Sequence, residues 1–151
     1  MKKFTLYLAC IAMCFGCLAG CKSQSPTMSA EQIASQLNTK IHFEDQLCTA
    51  DTGVGEALYQ IQNATDCCVY ISSGATAEEI AVFCFENSNQ AKQALPQAQQ
   101  RIQSQIQAYQ SYVPAEVARL NSAAIVQQEQ YLVVCVTDDT TAKQTIEENL
   151  Q

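Results

Sequence analysis

The chain has 151 residues and a formal charge of −7, from 8 basic and 15 acidic side chains, the size of one domain with a short leader. An acidic surface of this kind lacks the concentrated Lys/Arg patch that a phosphate backbone or anionic headgroups would need, so nucleic acid is excluded as an expected partner.

The chain opens Met1-Lys2-Lys3, continues apolar from Phe4 to Phe15, and passes through Gly16-Cys17-Leu18-Ala19-Gly20-Cys21 into polar Lys22 to Thr27. This is the charged, apolar and small-residue order of a secretory signal. The apolar stretch is shorter than the roughly 20 residues a permanent membrane span requires. Leu18-Ala19-Gly20-Cys21 resembles the bacterial lipobox, whose small residues enter the lipoprotein signal peptidase beside a cysteine carrying diacylglycerol; ordinary signal-peptide cleavage is the alternative. The resemblance implies a signal peptide over residues 1–20, with Leu18, Ala19 and Gly20 as recognition residues and Cys21 as the lipidated first residue. The two acyl chains suffice for stable anchoring, at about 0.8 kcal/mol per buried methylene. Lipidated Cys21 and the tether, residues 21–27, would hold a single domain of residues 28–151 within about 20 Å of the cell membrane, on its extracytoplasmic face. Without residues 1–20 the charge is about −9, because two lysines leave.

Within the domain, Ser29-Ala30-Glu31-Gln32 fits a capping box, and Ile33 and Leu37 follow four apart, predicting a helix over about residues 30–39. Val54 to Ile61 gives a weaker helical signal, blurred by Gly53 and Gly55. Cys67 to Ile71 and Ile80 to Phe85 are β-rich runs, expected to pair antiparallel. Between them Thr76-Ala77-Glu78-Glu79 matches a capping box and predicts one turn of helix. Asn87 or Ser88 can cap a long helix bearing Leu95, Ala98, Ile102, Ile106, Tyr109 and Val113, with Pro96 predicting a kink near residues 92–96 or a late start. Ala123 to Gln127 and Tyr131 to Thr137 predict a second hairpin, turning through Gln128-Glu129-Gln130 without glycine. Asp139 or Thr140 can cap a closing helix with Ala142, Ile146 and Leu150.

This order predicts an α+β fold: a mainly antiparallel four-stranded sheet, a long helix between two hairpins, and flanking N- and C-terminal helices. Apolar residues at both parities of the second and fourth strands place those two at the centre.

The segments Val69-Tyr70-Ile71-Ser72-Ser73-Gly74-Ala75-Thr76-Ala77-Glu78-Glu79-Ile80-Ala81-Val82-Phe83, Tyr112-Val113-Pro114-Ala115-Glu116-Val117, and Tyr131-Leu132-Val133-Val134 leading to Thr137-Asp138-Asp139 resemble a family of bacterial lipoproteins described as domain of unknown function 4358. The similarity runs from about Ile33 to Asp139 and implies the anchor and the fold, with no assigned activity.

Of nine cysteines, Cys10, Cys14 and Cys17 leave with the signal peptide and Cys21 is consumed by lipid. Cys48, Cys67, Cys68, Cys84 and Cys135 remain, an odd number expected to be mostly buried free thiols. Cys67 and Cys68 would face opposite sides of a strand. The sole histidine, His42, lacks a second histidine for a zinc site, and no metal or cofactor is expected. Ser72-Ser73-Gly74 reads as a turn rather than a nucleophile, because a hydroxyl needs a base within reach. The pairs Glu78-Glu79, Asp138-Asp139 and Glu147-Glu148 read as caps and solvated faces. The possible binding loop is Tyr112, Pro114 and Glu116, a helix-to-strand connection carrying a ring, a fixed proline and a carboxylate. The function expected is that of a non-catalytic domain binding a protein or other component of the cell envelope. The alternative is a small envelope hydrolase or thiol enzyme.

Overall fold

The computed structural model describes residues 28–51 and 53–151; the expected signal peptide with Leu18, Ala19 and Gly20, the expected lipidation at Cys21 and the expected tether lie outside them. Helix α1, Ala30–Lys40, opens on the expected capping box. Ser29 Oγ accepts from the Gln32 amide at 3.2 Å, and Gln32 Oε1 accepts from the Ser29 amide at 3.0 Å. These bonds occupy donors that every helix start leaves unpaired. Ala30, Ile33, Ala34 and Leu37 form its buried stripe.

The chain continues through β1 (Cys48–Thr49), α2 (Val54–Tyr59), β2 (Asp66–Ile71), β3 (Glu79–Cys84), α3 (Ser88–Tyr112), α4 (Glu116–Asn121), β4 (Ala124–Gln128), β5 (Tyr131–Val136) and α5 (Ala142–Asn149). The sheet is antiparallel, in the order β1-β2-β3-β5-β4. The α+β class agrees with the sequence. The strand count does not: Cys48–Thr49 adds a fifth strand against Ile71 and Tyr70, and two residues are too few to show alternation. As the apolar runs predict, β3 and β5 are central, and every residue of both is buried.

Helices cover both faces. Alternate strand residues, among them Ile80, Val82, Val133 and Cys135, pack beneath α1 and α5. Their neighbours Ala81, Phe83, Leu132 and Val134 pack beneath α2, α3 and α4. Each fully buried aliphatic or Phe side chain contributes about 1.5–3 kcal/mol, so this three-layer stack is the main source of stability.

Four local expectations need correction or completion. Helix α3 does not start late: the Asn87 side chain accepts from the Gln90 amide at 3.1 Å, and the helix runs through Pro96. Lys92 and Pro96 are both exposed, so water can reach the Lys92 carbonyl to which Pro96 cannot donate. No helical turn forms at Thr76–Glu79; Glu79 begins β3 instead. Helix α4 was not expected, being a six-residue element after Pro114. Finally, the β4–β5 turn is only Glu129-Gln130, with Glu129 in the left-handed region at φ 48°. Asp139 does serve the last helix: its Oδ1 accepts from Thr141 N–H at 2.9 Å, just before α5.

Candidate functional site

The strands run between two poles. At one pole Tyr131 donates its hydroxyl to the Met28 carbonyl at 3.2 Å, and the Ala30 amide donates to Asp66 at 2.8 Å. Helix α3 leaves this pole after β3 and, at about 1.5 Å per residue, carries Tyr112 nearly 40 Å away. Tyr109 marks its arrival, donating to the Thr76 carbonyl in the β2–β3 loop at 3.0 Å.

At this second pole Glu78 and Glu79 are each 2 % exposed, so the expectation that they form a cap or solvated face is wrong. They stand at the start of a buried strand, where successive side chains enter opposite helical layers. Glu79 enters the α3 layer, where it accepts from the Tyr59 hydroxyl, from Arg101 at 2.9 Å and from Gln105 at 3.4 Å. Burial, reinforced by the Glu79 charge, pushes the Tyr59 phenol well above its ordinary value. The Arg101 guanidinium lies 5.8 Å from the Tyr59 ring centre, close enough for a cation–π contact.

Glu78 enters the other layer. Its two oxygens accept the Glu44 and Asp45 amides, both at 2.8 Å, and Oε2 also accepts from the Thr76 hydroxyl at 3.1 Å. Arg119, on α4, lies 4.0 Å from Glu78 and binds Glu116, Glu44 and Asp138, each at 2.6 Å. Burial opposes its charge, but the hydrogen bonds it donates to Asp138 and Glu44, with the charge of Glu116 and the bond to it, outweigh burial and raise its pKa further. Four carboxylates saturate this guanidinium. It clamps segments following α1, preceding β3 and following β5 to α4, leaving no cationic site for a ligand.

The proposed loop residues are parted by the fold. Tyr112 is 77 % exposed, the one large hydrophobic so exposed among the described residues, and it meets Tyr109 edge to face with ring centres 6.5 Å apart. Pro114 is exposed beside it. Glu116 instead turns inward, accepting from the Ala77 amide at 2.7 Å and from Arg119. The β2–β3 loop completes this pole. There Ser72 donates to the Thr76 carbonyl at 2.6 Å, and Ser73 donates through its amide to Asp45 at 2.8 Å. Ser72-Ser73-Gly74 is thus the expected turn, with Gly74 at φ 98°. His42 is exposed and held through its main chain, its amide donating to Asp139 at 3.1 Å and its carbonyl accepting from Thr137 at 2.7 Å.

All five cysteines among the described residues are unpaired. Cys68, Cys84 and Cys135 belong to the α1 and α5 layer, while Cys67 packs against the other. Cys84 lies opposite Tyr131 and Cys135 opposite Ile80, an offset of four residues or about 13 Å along the strands. A disulfide between them is geometrically impossible without rearrangement. Burial pushes Cys67, Cys84 and Cys135 up to about 12; these thiols are protonated and poorly nucleophilic at neutral pH. A depression of about 280 Å³ beside Cys67 is bordered by Glu31, Asp51 and Asp66. Another, of about 350 Å³, lies between Met28, Cys84 and Tyr131.

Arg101 and Arg119 are the residues missed by reading the sequence. They are the only arginines in the chain; Arg101 stands three residues after Ala98 on the apolar stripe of α3, a signal that it serves an interior carboxylate, whereas Arg119 has no such local signal.

Among the described residues, no group of three or more His, Cys, Asp or Glu side chains could hold a metal ion. No helix among them is long and apolar enough to cross a membrane. A family model described as Domain of unknown function (DUF4358) matches residues 56–137. The match reaches from within α2 to just beyond β5, leaving α1 and α5 outside. No curated protein matches the chain, and no solved structure does.

Proposed function

Because this chain belongs to the family described as Domain of unknown function (DUF4358), which brings no activity with it, we propose from its own residues that it is a lipid-anchored extracytoplasmic lipoprotein binding a component of the cell envelope without catalysis. One observation carries the reading: Leu18-Ala19-Gly20-Cys21 directly follows the apolar leader stretch and stands six residues before Thr27, where the polar tether ends. The diacylglyceryl group on Cys21 supplies the attachment. The folded domain supports a binding role through Tyr112 and Pro114, which are exposed at the pole away from Met28. An exposed aromatic beside a fixed proline offers contact area at small entropic cost. The protonated interior thiols and the saturated Arg119 site support a binding rather than a catalytic reading.

The test is in two parts. Cys21→Ser should move the protein from the membrane to the soluble fraction and abolish incorporation of a labelled fatty acid; retention of membrane attachment would overturn the anchor. A photo-crosslinking amino acid at position 112 should capture an envelope component in the native membrane. Hydrolysis of cell-wall or ester substrates by the purified protein, abolished by His42→Ala, would overturn the non-catalytic reading.

A further inference from the structure

The two edges of the sheet differ in a way that points to a partner. At one edge β2 is covered by the two-residue strand Cys48–Thr49 and by the Ala50 amide, which donates to the Val69 carbonyl at 2.8 Å, and Glu31, Asp51 and Asp66 border the adjoining depression. A very short strand and nearby charge are the usual protections against pairing with another chain.

The opposite edge, β4, is a full five residues long and holds no charged side chain within the strand. It reads Ala124-Ile125-Val126-Gln127-Gln128, uncharged and free of proline, in unbroken register with β5. Among the described residues, no main-chain hydrogen bond reaches β4 from any element other than β5. Alternate amides and carbonyls along its outer side are therefore open, and Ile125 is only half-buried beside them.

Charge indicates what fits there. Residues 28–86 carry nine acidic side chains and one basic, Lys40, whereas residues 87–151 carry six acidic and four basic. Helices α3 and α5 flank β4. Helix α3 contains Lys92 and Arg101 and no acidic residue, while α5 carries Lys143 with Glu147 and Glu148. The β4 side is thus where a molecule of this acidity is least repelled by its own kind.

We infer that β4 docks against β4 of a second copy of this chain. The strands pair antiparallel about a two-fold axis normal to the sheet at Val126, placing Ile125 opposite Gln127 and joining the two sheets into one of ten strands. A two-fold contact uses one patch twice, and an antiparallel pair satisfies the open groups of both strands. The axis also keeps both α1 and α5 layers on one side, so both Met28 ends leave from the same layer. That orientation suits two anchors in one membrane, and this last point alone rests on the anchoring proposed above.

The full chain, purified in mild detergent, is measured by sedimentation across a concentration series, with micelle mass subtracted. A reversible dimer is expected, weakened about tenfold or more by Gln127→Lys, which sets like charges together near the axis. Asp51→Lys, at the protected edge, should leave the dimer intact. Gln128→Lys is the second variant should Gln127→Lys fail to fold, circular dichroism reporting the fold of each. A photo-crosslinker at position 127 should yield a covalent species of twice the chain mass. A monomer at every concentration, a dimer indifferent to both lysine variants, or capture of a different protein from position 127 would overturn the inference. Cys21→Ser should dimerise in solution as well, which separates failure of this interface from failure of the anchor.

Discussion

Arg119 illustrates how one side chain can decide whether several others are tolerable inside a protein. Its guanidinium is 6 % exposed and offsets the inward carboxylates of Glu78 and Glu116; taking it away leaves those charges without compensation. Arg119→Ala should therefore lower unfolding free energy by about 3–5 kcal/mol, read from urea denaturation. A loss within the range of ordinary surface substitutions would show that water reaches the cluster. Asp139 provides a complementary acid test. Hydrogen bonds from the Thr141 hydroxyl, then from the His42 and Thr141 amides, hold its carboxyl below the usual 3.8. Its folded value lies below its unfolded one, so its contribution is complete above pH 3.8 and disappears as pH falls through the folded value. Asp139→Asn should flatten the acid limb of stability in that window; an unchanged limb would show that its hydrogen bonds do not favour the charged form. The thiols give a third reading. Cys135 is pushed up to about 12 by burial, and next by the charges of Asp139 and Glu78. Iodoacetamide at neutral pH should thus modify exposed Cys48 in the native protein but reach Cys84 and Cys135 only after unfolding. Mass spectrometry counts the adducts, and early labelling of Cys135 would place it at an accessible surface.

Among the elements, α3 and α2 depend on opposite compromises. Helix α3 keeps Pro96 in its interior, where proline costs about 3 kcal/mol relative to alanine. Some of that cost is recovered because proline restricts the unfolded chain by about 0.4–1 kcal/mol. Pro96→Ala should accordingly stabilise the protein by about 2–2.6 kcal/mol in urea denaturation, and destabilisation would mean the ring makes contacts that outweigh a helical bond. Helix α2 instead needs a missing side chain. A Cβ on Gly55 would stand 2.6 Å from both Cys67 Sγ and Val69 Cγ2, so Gly55→Ala should cost about 1–3 kcal/mol through overpacking. It should also speed modification of Cys67 as α2 lifts from β2. Unchanged Cys67 reactivity would show that the strand yields instead. The sequence announced α1, α3 and the two hairpins through caps, period and β-branched runs. It could not announce α4 or β1, because a six-residue helix and a two-residue strand are stabilised by what they touch. Thr76–Glu79 misled for a related reason: its capping pattern was overridden when Tyr59, Arg101 and the Glu44 and Asp45 amides engaged the two carboxylates.

At the scale of the molecule, β3 and β5 belong to both hydrophobic layers, since their alternate residues serve α1 and α5 on one side and α2, α3 and α4 on the other. Neither layer can dissolve without exposing the shared pair, so unfolding should be a single transition. Tyrosine fluorescence and far-ultraviolet circular dichroism should give coincident midpoints; separated midpoints would mean that one layer survives the other. This architecture was the most legible part of the sequence, because two strands apolar at both parities demand covering on both faces. The candidate site was far less so. Exposure of Tyr112 is consistent with its place at a helix end, but the inward turn of Glu116 depends on Ala77 and Arg119, and no local pattern reveals such distant partners. One consequence concerns mechanical load. Helix α1 begins at Met28 and Ala30, tied to Tyr131 and Asp66, and ends where His42 is pinned by Thr137 and Asp139. It therefore runs lengthwise over β2 and β3 rather than across them, and a pull delivered through residue 28 acts lengthwise. The buried contacts of Ile33, Ala34 and Leu37 must then slip together instead of peeling one at a time, the arrangement that best resists being dragged open from this end.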